Sequence, residues 1–400
     1  MKYWHLNLNE IQEMIGFCRQ YKNILIFGVS ENCEYILKFF DICNVRVNAF
    51  VENNLPEHKF CYREIPVITT DKLIKQFSTV DTGIILGLYN EHYESVIPYL
   101  RKCDFSYFDV SEHNKNIIMS KLSPKPPKET HIEIPITEHC NLNCKMCNYF
   151  APLAKKQFYP LTNFRNDIKR LANLCEHKLG TLKIIGGEPL LHPNLIEILR
   201  ISRETFQDNE IILVTNGTLL LHHENAKQGN IWDALKKFNI WILLTVYPIN
   251  INVNAIFDKA NEYGVNIGII PNLPNPDSEK KLHKFVLDPL GKQEAFTFIN
   301  CGYFNSCVTM MQGGKIFPCP PAAHIHIFNE FFNENLMITE DDYVDIYKIK
   351  SFSDISDLCS RRVEFCKYCA IKSHGRWYKW EVSNKTIDEW IDIAGEESST

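Results

Sequence analysis

Three cysteines fall within eight residues, in the run Cys140-Asn141-Leu142-Asn143-Cys144-Lys145-Met146-Cys147, spaced Cys-x3-Cys-x2-Cys. A loop this tight can wrap only a small, soft inorganic body. An iron–sulfur cube is held by thiolates and normally takes four of them. Three from one loop leave one iron for a non-protein ligand, so the open corner is where a substrate or cofactor could chelate. Zinc also uses Cys-x2-4-Cys pairs but wants a fourth ligand, and His139, as the strand-end neighbour of Cys140, points the wrong way to supply it. Three ordinary buried thiols are the remaining reading. Cysteines return late in the chain, at Cys301, Cys307, Cys319, Cys359, Cys366 and Cys369. The run Gly313-Gly314-Lys315-Ile316-Phe317-Pro318-Cys319 reads as a hairpin turn delivering a thiol, and Cys366-Lys367-Tyr368-Cys369 is a metal-type Cys-x2-Cys. These spacings alone admit a four-cysteine zinc site.

A second motif follows the first loop by about forty residues. The apolar run Leu182-Lys183-Ile184-Ile185 ends in Gly186-Gly187-Glu188-Pro189. Two glycines let the backbone approach a ligand closely, and a carboxylate can receive an ammonium group; a strand ending in a plain tight turn is the alternative. Together the two motifs resemble the radical S-adenosylmethionine (SAM) enzyme superfamily, whose members carry them in this order and at about this distance. The resemblance implies a [4Fe–4S] cluster on Cys140, Cys144 and Cys147, with the amino and carboxylate groups of SAM on the open iron. Gly186, Gly187 and Glu188, with Pro189 closing the turn, would face the methionine amino group, and the backbone at Met146 the adenine. That last position is aromatic in most members, so Met146 is a departure. The late cysteines resemble the SPASM/twitch extension, which houses an auxiliary [4Fe–4S] cluster: Cys319, Cys366 and Cys369 as three ligands, and Cys301 or Cys307, with Cys301 preferred, as the fourth. The full Cys-x2-Cys-x5-Cys-x3-Cys run of that extension is missing, which favours one auxiliary cluster over two. Cys359 is left as structural or spare.

The expected fold is α/β. An N-terminal Rossmann-like parallel sheet covers residues 1–121, a Pro-rich linker 122–130, a partial (β/α)6 TIM-like radical SAM barrel 131–299, and a small cysteine-rich SPASM/twitch extension 300–400. In the first segment the alternation runs helix 7–20, strand 23–28, helix 31–40, strand 45–51, strand 65–68, helix 71–78, strand 83–88, helix 91–101 and strand 107–110. A dinucleotide fingerprint would need Gly-x-Gly-x-x-Gly after the first strand. Only Gly28 of Gly28-Val29-Ser30-Glu31-Asn32-Cys33 fits, with Glu52 near the ribose-binding position, so a scaffold or substrate-docking role is favoured over NAD binding. In the core, strands at 132–136, 182–185, 211–214, 240–246 and 265–270 alternate with helices at 162–176, 194–206, 231–237 and 254–263. Polar residues gather at their carboxyl ends, where barrel active sites lie. Asn216 and Thr245 are candidates for the ribose or carboxylate of SAM, with simple capping as the alternative; His192 reads as a turn residue. The tail, with Trp377, Trp380 and Trp390, reads as a docked helix with Ser383 as N-cap.

The chain has 400 residues, 45% hydrophobic and 23% charged, the composition of an ordinary globular protein with two or three domains. No apolar run reaches membrane-spanning length and the first residues do not open a signal peptide, so a cytoplasmic protein is expected. Fifteen cysteines in such a chain argue for metal rather than disulfides. A net charge of −5 carries no basic footprint, which makes nucleic acid an unfavoured partner. The resemblance implies reductive cleavage of SAM and hydrogen-atom abstraction from a small-molecule, sugar or peptide substrate. The electron would come from an external one-electron reductant of flavodoxin or ferredoxin type. A zinc-stabilised binding protein without catalysis, and an RNA-modifying member of the superfamily, are the competing readings.

Overall fold

The computed structural model describes residues 8–391 apart from 30–32, 53–60, 87–92, 124, 226–228, 270–280, 284–285, 294–297, 299–300, 302, 304–307 and 371–376. The chain forms two compact units, Met1–Ser123 with Glu294–Asn300, and Pro124–Gln293 with Cys301–Thr400.

The first unit is built on a six-stranded sheet in the order β3-β4-β2-β1-β5-β6. Its strands are β1 (Asn23–Phe27), β2 (Val47–Val51), β3 (Cys61–Tyr62), β4 (Ile65–Ile68), β5 (Thr82–Leu86) and β6 (Ser106–Asp109). All pairings are parallel except β3 with β4. Runs such as Asn-Ile-Leu-Ile-Phe are apolar on both faces, as strands covered by helices from two sides must be. The helices are α1 (Leu8–Cys18), α2 (Cys33–Ile42), α3 (Thr70–Gln76), α4 (Tyr93–Lys102) and α5 (Glu112–Leu122). β1 pairs with both β2 and β5, so the chain changes winding direction beside it. Just beyond β1, Gly28 turns with φ +94° and the Val29 N–H donates to Glu52 Oε2 at 3.2 Å. Glu52 thus braces the turn. Helix α5, which hydropathy did not reveal, is fixed by polar contacts: Ser111 Oγ accepts the Asn114 N–H, and the Glu10 carboxylate accepts from Ser111 Oγ and Asn114 Nδ2.

The second unit holds an eight-stranded sheet in the order β11-β10-β9-β8-β7-β13-β14-β15. Alternating strand and helix give β7 (His131–Pro135), α6 (Leu161–Leu174), β8 (Thr181–Ile185), α7 (Leu195–Thr205), β9 (Glu210–Thr215), α8 (Ile231–Lys237), β10 (Trp241–Leu244), α9 (Val253–Tyr263) and β11 (Ile267–Ile269). Alternate residues of these strands, among them Ile134, Ile184, Leu213 and Ile242, join Phe164, Ile168, Leu195, Ile198, Trp232 and Ile256 of the helices in one core. Residues paired across strands share a face. Glu133, Lys183 and Ile212 therefore line up on the face opposite that core.

β12 (Lys281–His283) belongs to a separate ribbon. β13 (Val308–Gln312) returns to lie parallel against β7, Val308 beside His131, and extends the parallel set to six strands. Residues from beyond position 300 therefore complete the core sheet instead of standing apart from it. β13 turns at Gly313 and Gly314, with φ +57° and +72°, into antiparallel β14 (Lys315–Phe317), the hairpin that the two glycines foretold. Helix α10 (Pro320–Phe332), β15 (Val344–Asp345) and α11 (Ser353–Leu358) follow. The tail departs from expectation. Ser383 caps no α-helix: Trp377–Lys379 is a strand, β16, paired antiparallel with β12, and Ile387–Glu389 is a single 3-10 turn. Ser383 Oγ accepts the Lys385 N–H and donates to Glu389 Oε2, so its capping chemistry closes a loop. Among the described residues no helix is long and apolar enough to cross a membrane.

Candidate functional site

The Gly-Gly-Glu turn and the first cysteine loop form one joint. Beyond the paired ends of β7 and β8, the Gly187 N–H donates to Thr137 O at 2.9 Å and the Glu188 N–H to His139 O at 3.1 Å. A Cβ at Gly187 would lie 2.1 Å from His139 O and 2.8 Å from the Cys140 nitrogen; one at Gly186 (φ +151°) would lie 2.5 Å from Thr137 O. Only glycines let the strand end run flush against the segment that delivers Cys140. His139 itself turns away: its Nδ1 accepts the Gln157 N–H and its ring packs edge-on against Phe158.

Glu188 is fully buried and its carboxylate accepts three hydrogen bonds, from Thr215 Oγ1 at 2.7 Å, the Asn216 N–H at 2.9 Å and the Leu190 N–H at 3.1 Å. Burial, with no cation beside it, pushes its pKa up to about 7 against the pull of those donors. Glu188 thereby ties the end of β8 to the end of β9. Asn216 carries the tie onward: its Nδ2 donates to Asn141 Oδ1 at 2.9 Å and reaches Cys140 Sγ at 3.7 Å, while its Oδ1 accepts from the Thr218 N–H. Asn141 Nδ2 donates to Thr218 Oγ1 at 2.7 Å. Asn141, Thr215 and Thr218 belong to this site although their types and spacing alone do not single them out. Thr245 lies next along the sheet edge, its N–H on Thr215 O at 2.9 Å. Pro189 opens a buried 3-10 turn, and His192 is buried with Nε2 on Tyr159 O and Nδ1 accepting the Asn194 N–H, a turn residue in both respects.

Within the loop, Cys140 lies in electrostatic range of both Cys144 and Cys147. Burial pushes the Cys140 thiol up to about 12 and also raises that of Cys147. Yet N–H donors are aimed at both sulfurs: Leu142 at Cys140 Sγ (3.3 Å), and Tyr149, Phe150 and Ala151 at Cys147. Donors without a cation suit sulfurs that a metal converts to thiolates. Met146 takes φ +55°, which turns the chain between the second and third thiols. The loop is held from the far end of the chain as well: Cys144 bridges antiparallel to Val382, the Lys145 N–H donates to Glu381 O at 3.0 Å, and Trp390 Nε1 donates to Cys147 O at 3.0 Å.

A second group of thiols gathers Cys301, Cys319, Cys366 and Cys369, each within electrostatic reach of others. Burial raises Cys366 to about 12 and also holds Cys319 and Cys369 well above the usual thiol range. Cys307 lies outside the described residues, and Cys359 is buried in the core. Among the described residues no three His, Cys, Asp or Glu side chains converge as closely as one shared metal ion asks; a four-iron cube keeps its thiolates farther apart than a single ion does.

Residues 134–263 match the model of the Radical SAM superfamily. Curated relatives include a GTP 3′,8-cyclase of Haemophilus ducreyi, 27% identical over 130 residues that make up 32% of this chain and 33% of the relative. Another, from Chlorobaculum tepidum, is 33% identical over 91 residues, 22% of this chain and 26% of the relative. The chain thus spans about a third or less of the length of these relatives. Among solved structures, BtrN in complex with AdoMet and 2-DOIA aligns over 65% of this chain and 96% of its own, at 16% identity and a TM-score of 0.37. Native anSMEcpe with bound AdoMet aligns over 64% and 93%, at 13% identity and a TM-score of 0.37. The segment that matches the Radical SAM superfamily model, 134–263, is the one that carries the three thiols and the Gly-Gly-Glu joint.

Proposed function

We propose that this chain is a radical SAM oxidoreductase or maturase acting on a peptide or sugar-type substrate, with an external one-electron reductant. The observation that carries the reading is the joint at Gly187, which makes the cysteine loop and the Gly-Gly-Glu turn parts of one site. Cys140, Cys144 and Cys147 would hold the cluster, and Gly186, Gly187, Glu188, Pro189, Met146, Asn216 and Thr245 would surround SAM. Bound there, cluster and SAM together supply an electron and a carbon-centred radical able to take a hydrogen atom from substrate. The protein's share is alignment and exclusion of water. Glu188 and Asn216 fix the Cys140 side of the loop, and N–H groups stabilise thiolate at Cys140 and Cys147. The face of the sheet away from the helices, with Glu133, Lys183 and Tyr149 in one hydrogen-bonded group, would line the substrate chamber.

In this reading residues 131–299 are the core, to whose sheet β13 adds a strand, and 300–400 is otherwise a SPASM/twitch-like domain whose Cys301, Cys319, Cys366 and Cys369 hold an auxiliary [4Fe–4S] cluster. Residues 1–121 form a Rossmann-like domain joined through 122–130. Cys144→Ala should abolish 5′-deoxyadenosine release from SAM under strong reductant, and undiminished release overturns the reading. Cys366→Ser should lower iron by about one cluster, ~4 Fe, while SAM cleavage stays detectable. An unchanged iron count returns the second thiol group to a zinc or structural role.

A further inference from the structure

The last described stretch of the chain does more than cover the cysteine loop. From Glu381 to Ser383 it runs antiparallel to Asn143–Lys145: the Lys145 N–H meets Glu381 O at 3.0 Å and the Ser383 N–H meets Asn143 O at 2.7 Å. Lys145 Nζ and Glu381 Oε2 add an ion pair at 2.7 Å. Beyond the ladder the segment is locked by Ser383 Oγ and the Asn384 N–H, both donating to the Glu389 carboxylate, and by fully buried Trp390. Trp380 immediately precedes Glu381, the residue whose carbonyl receives the Lys145 N–H. Its ring packs against Tyr247, centroids 6.0 Å apart, just past the carboxyl end of β10 and two residues beyond Thr245. Trp380 therefore spans from the cysteine loop to the strand ends on the far side of Asn216.

Its indole N–H is buried and has no hydrogen-bond partner. Buried N–H groups nearly always have one, and an indole can only donate, so what is missing is an acceptor. Beside a loop that holds SAM, the acceptor-rich body at hand is a nucleoside, with its ring nitrogens and ribose oxygens. We infer that Trp380 is a ligand-binding residue of this site and that its N–H donates to a purine nucleoside. The inference rests on the radical SAM reading. The nucleoside could belong to SAM or to a purine substrate, a distinction that binding measurements separate.

The test is equilibrium dialysis of S-adenosylhomocysteine and, separately, GTP against the iron-reconstituted 400-residue chain and its Trp380→Phe and Trp380→Ala variants, with iron counted in each. Trp380→Phe keeps an aromatic ring and removes only the donor, so S-adenosylhomocysteine should bind about fivefold more weakly at unchanged iron content, and Trp380→Ala more weakly still. If GTP affinity falls instead, the donor serves the base of a substrate, and the inference stands with that source. Affinities for both probes unchanged in Trp380→Ala overturn it. So does loss of iron in both variants, because Trp380 would then be packing for the loop. A parent chain that takes up no iron and binds neither probe removes the underlying reading, and this inference with it.

Discussion

Gly187→Ala tests the joint on which the site depends. The added Cβ would sit 2.1 Å from His139 O, 2.3 Å from His139 C and 2.8 Å from the Cys140 nitrogen, all of them backbone atoms. No side-chain rotation can relieve such contacts. Bringing them out to a tolerable ~3.2 Å requires the His139–Cys140 peptide and the strand end to part by about 1 Å. That movement strains the Gly187-to-Thr137 and Glu188-to-His139 hydrogen bonds, at ~1 kcal/mol each, on top of an overpacking penalty of ~1–3 kcal/mol. The sum is about 3–5 kcal/mol, or a fall of roughly 10 °C in the thermal midpoint of a unit this size. A binding constellation tolerates displacements of only ~0.5 Å, so iron retained after reconstitution and a challenge with chelator should fall as well. The assays are calorimetry of the metal-free chain and iron content of the reconstituted one. Gly16→Ala is the control: nothing lies within 4 Å of its added carbon, and alanine in a helix interior should stabilise by ~0.5–1 kcal/mol. If Gly187→Ala behaves like Gly16→Ala in both assays, the two motifs do not share a joint and the geometry described above is wrong.

Two buried titratable groups give opposite pH dependences in the metal-free chain. Glu188, with its pKa raised from 4.5 to about 7 by burial, binds a proton more tightly folded than unfolded. Its contribution, of the order of 3 kcal/mol, is present below pH ~4.5 and lost as pH rises through ~7; Glu188→Gln should flatten that fall in urea midpoints measured across the window. A Glu188→Gln chain with the parent's slope refutes the assignment. His324 is fully buried with both ring nitrogens unpartnered, and burial takes its pKa from 6.5 to about 3. The unfolded chain therefore binds the extra proton, and stability drops as pH falls below ~6.5. His324→Phe should remove that acid-side loss and raise stability at neutral pH by ~1–2 kcal/mol, since unmet polar atoms give way to a ring of similar shape. A lower midpoint in urea at pH 7.5 would show that His324 has a partner after all.

How much was legible in the sequence follows from the range of the forces involved. The strands and helices from His131 to Ile269 announce themselves because each is amphipathic or apolar over its own length. Expected boundaries such as 162–176 and 194–206 differ by one or two residues from the observed Leu161–Leu174 and Leu195–Thr205. The cysteine spacing and Gly-Gly-Glu are local as well. The contacts of Cys140 were not: Asn141, Asn216 and Thr218 meet only because β9 pairs beside β8, and their side chains look like turn polarity until that register is known. The tail was misread for a related reason. Serine followed by acidic residues favours a helix start locally, but the Glu389 carboxylate that could have supported one is bound to Ser383 Oγ and the Asn384 N–H. The flanking backbone is taken up by β12 and the cysteine loop.

The same distinction explains why two motifs some forty residues apart behave as one object. Neither the thiols nor the glycines alone define a cavity. A tripeptide of Gly-Gly-Glu is a turn in most settings, and the cysteines of a loop are weak acids, of which burial here keeps Cys140 and Cys147 protonated. What converts them is adjacency in a parallel sheet, where β7 and β8 run side by side to the same edge and hand over their chain ends together. A glycine at that edge lets His139 O reach the Glu188 N–H, and Glu188 in turn fixes Asn216, which touches Cys140. Each step is one hydrogen bond long. Lengthening β8 by one residue would reverse the faces of every residue after the insertion and uncouple Glu188 from Asn216 without altering either motif. Such an insertion between Ile185 and Gly186 should therefore abolish iron retention while leaving both signatures intact in the sequence.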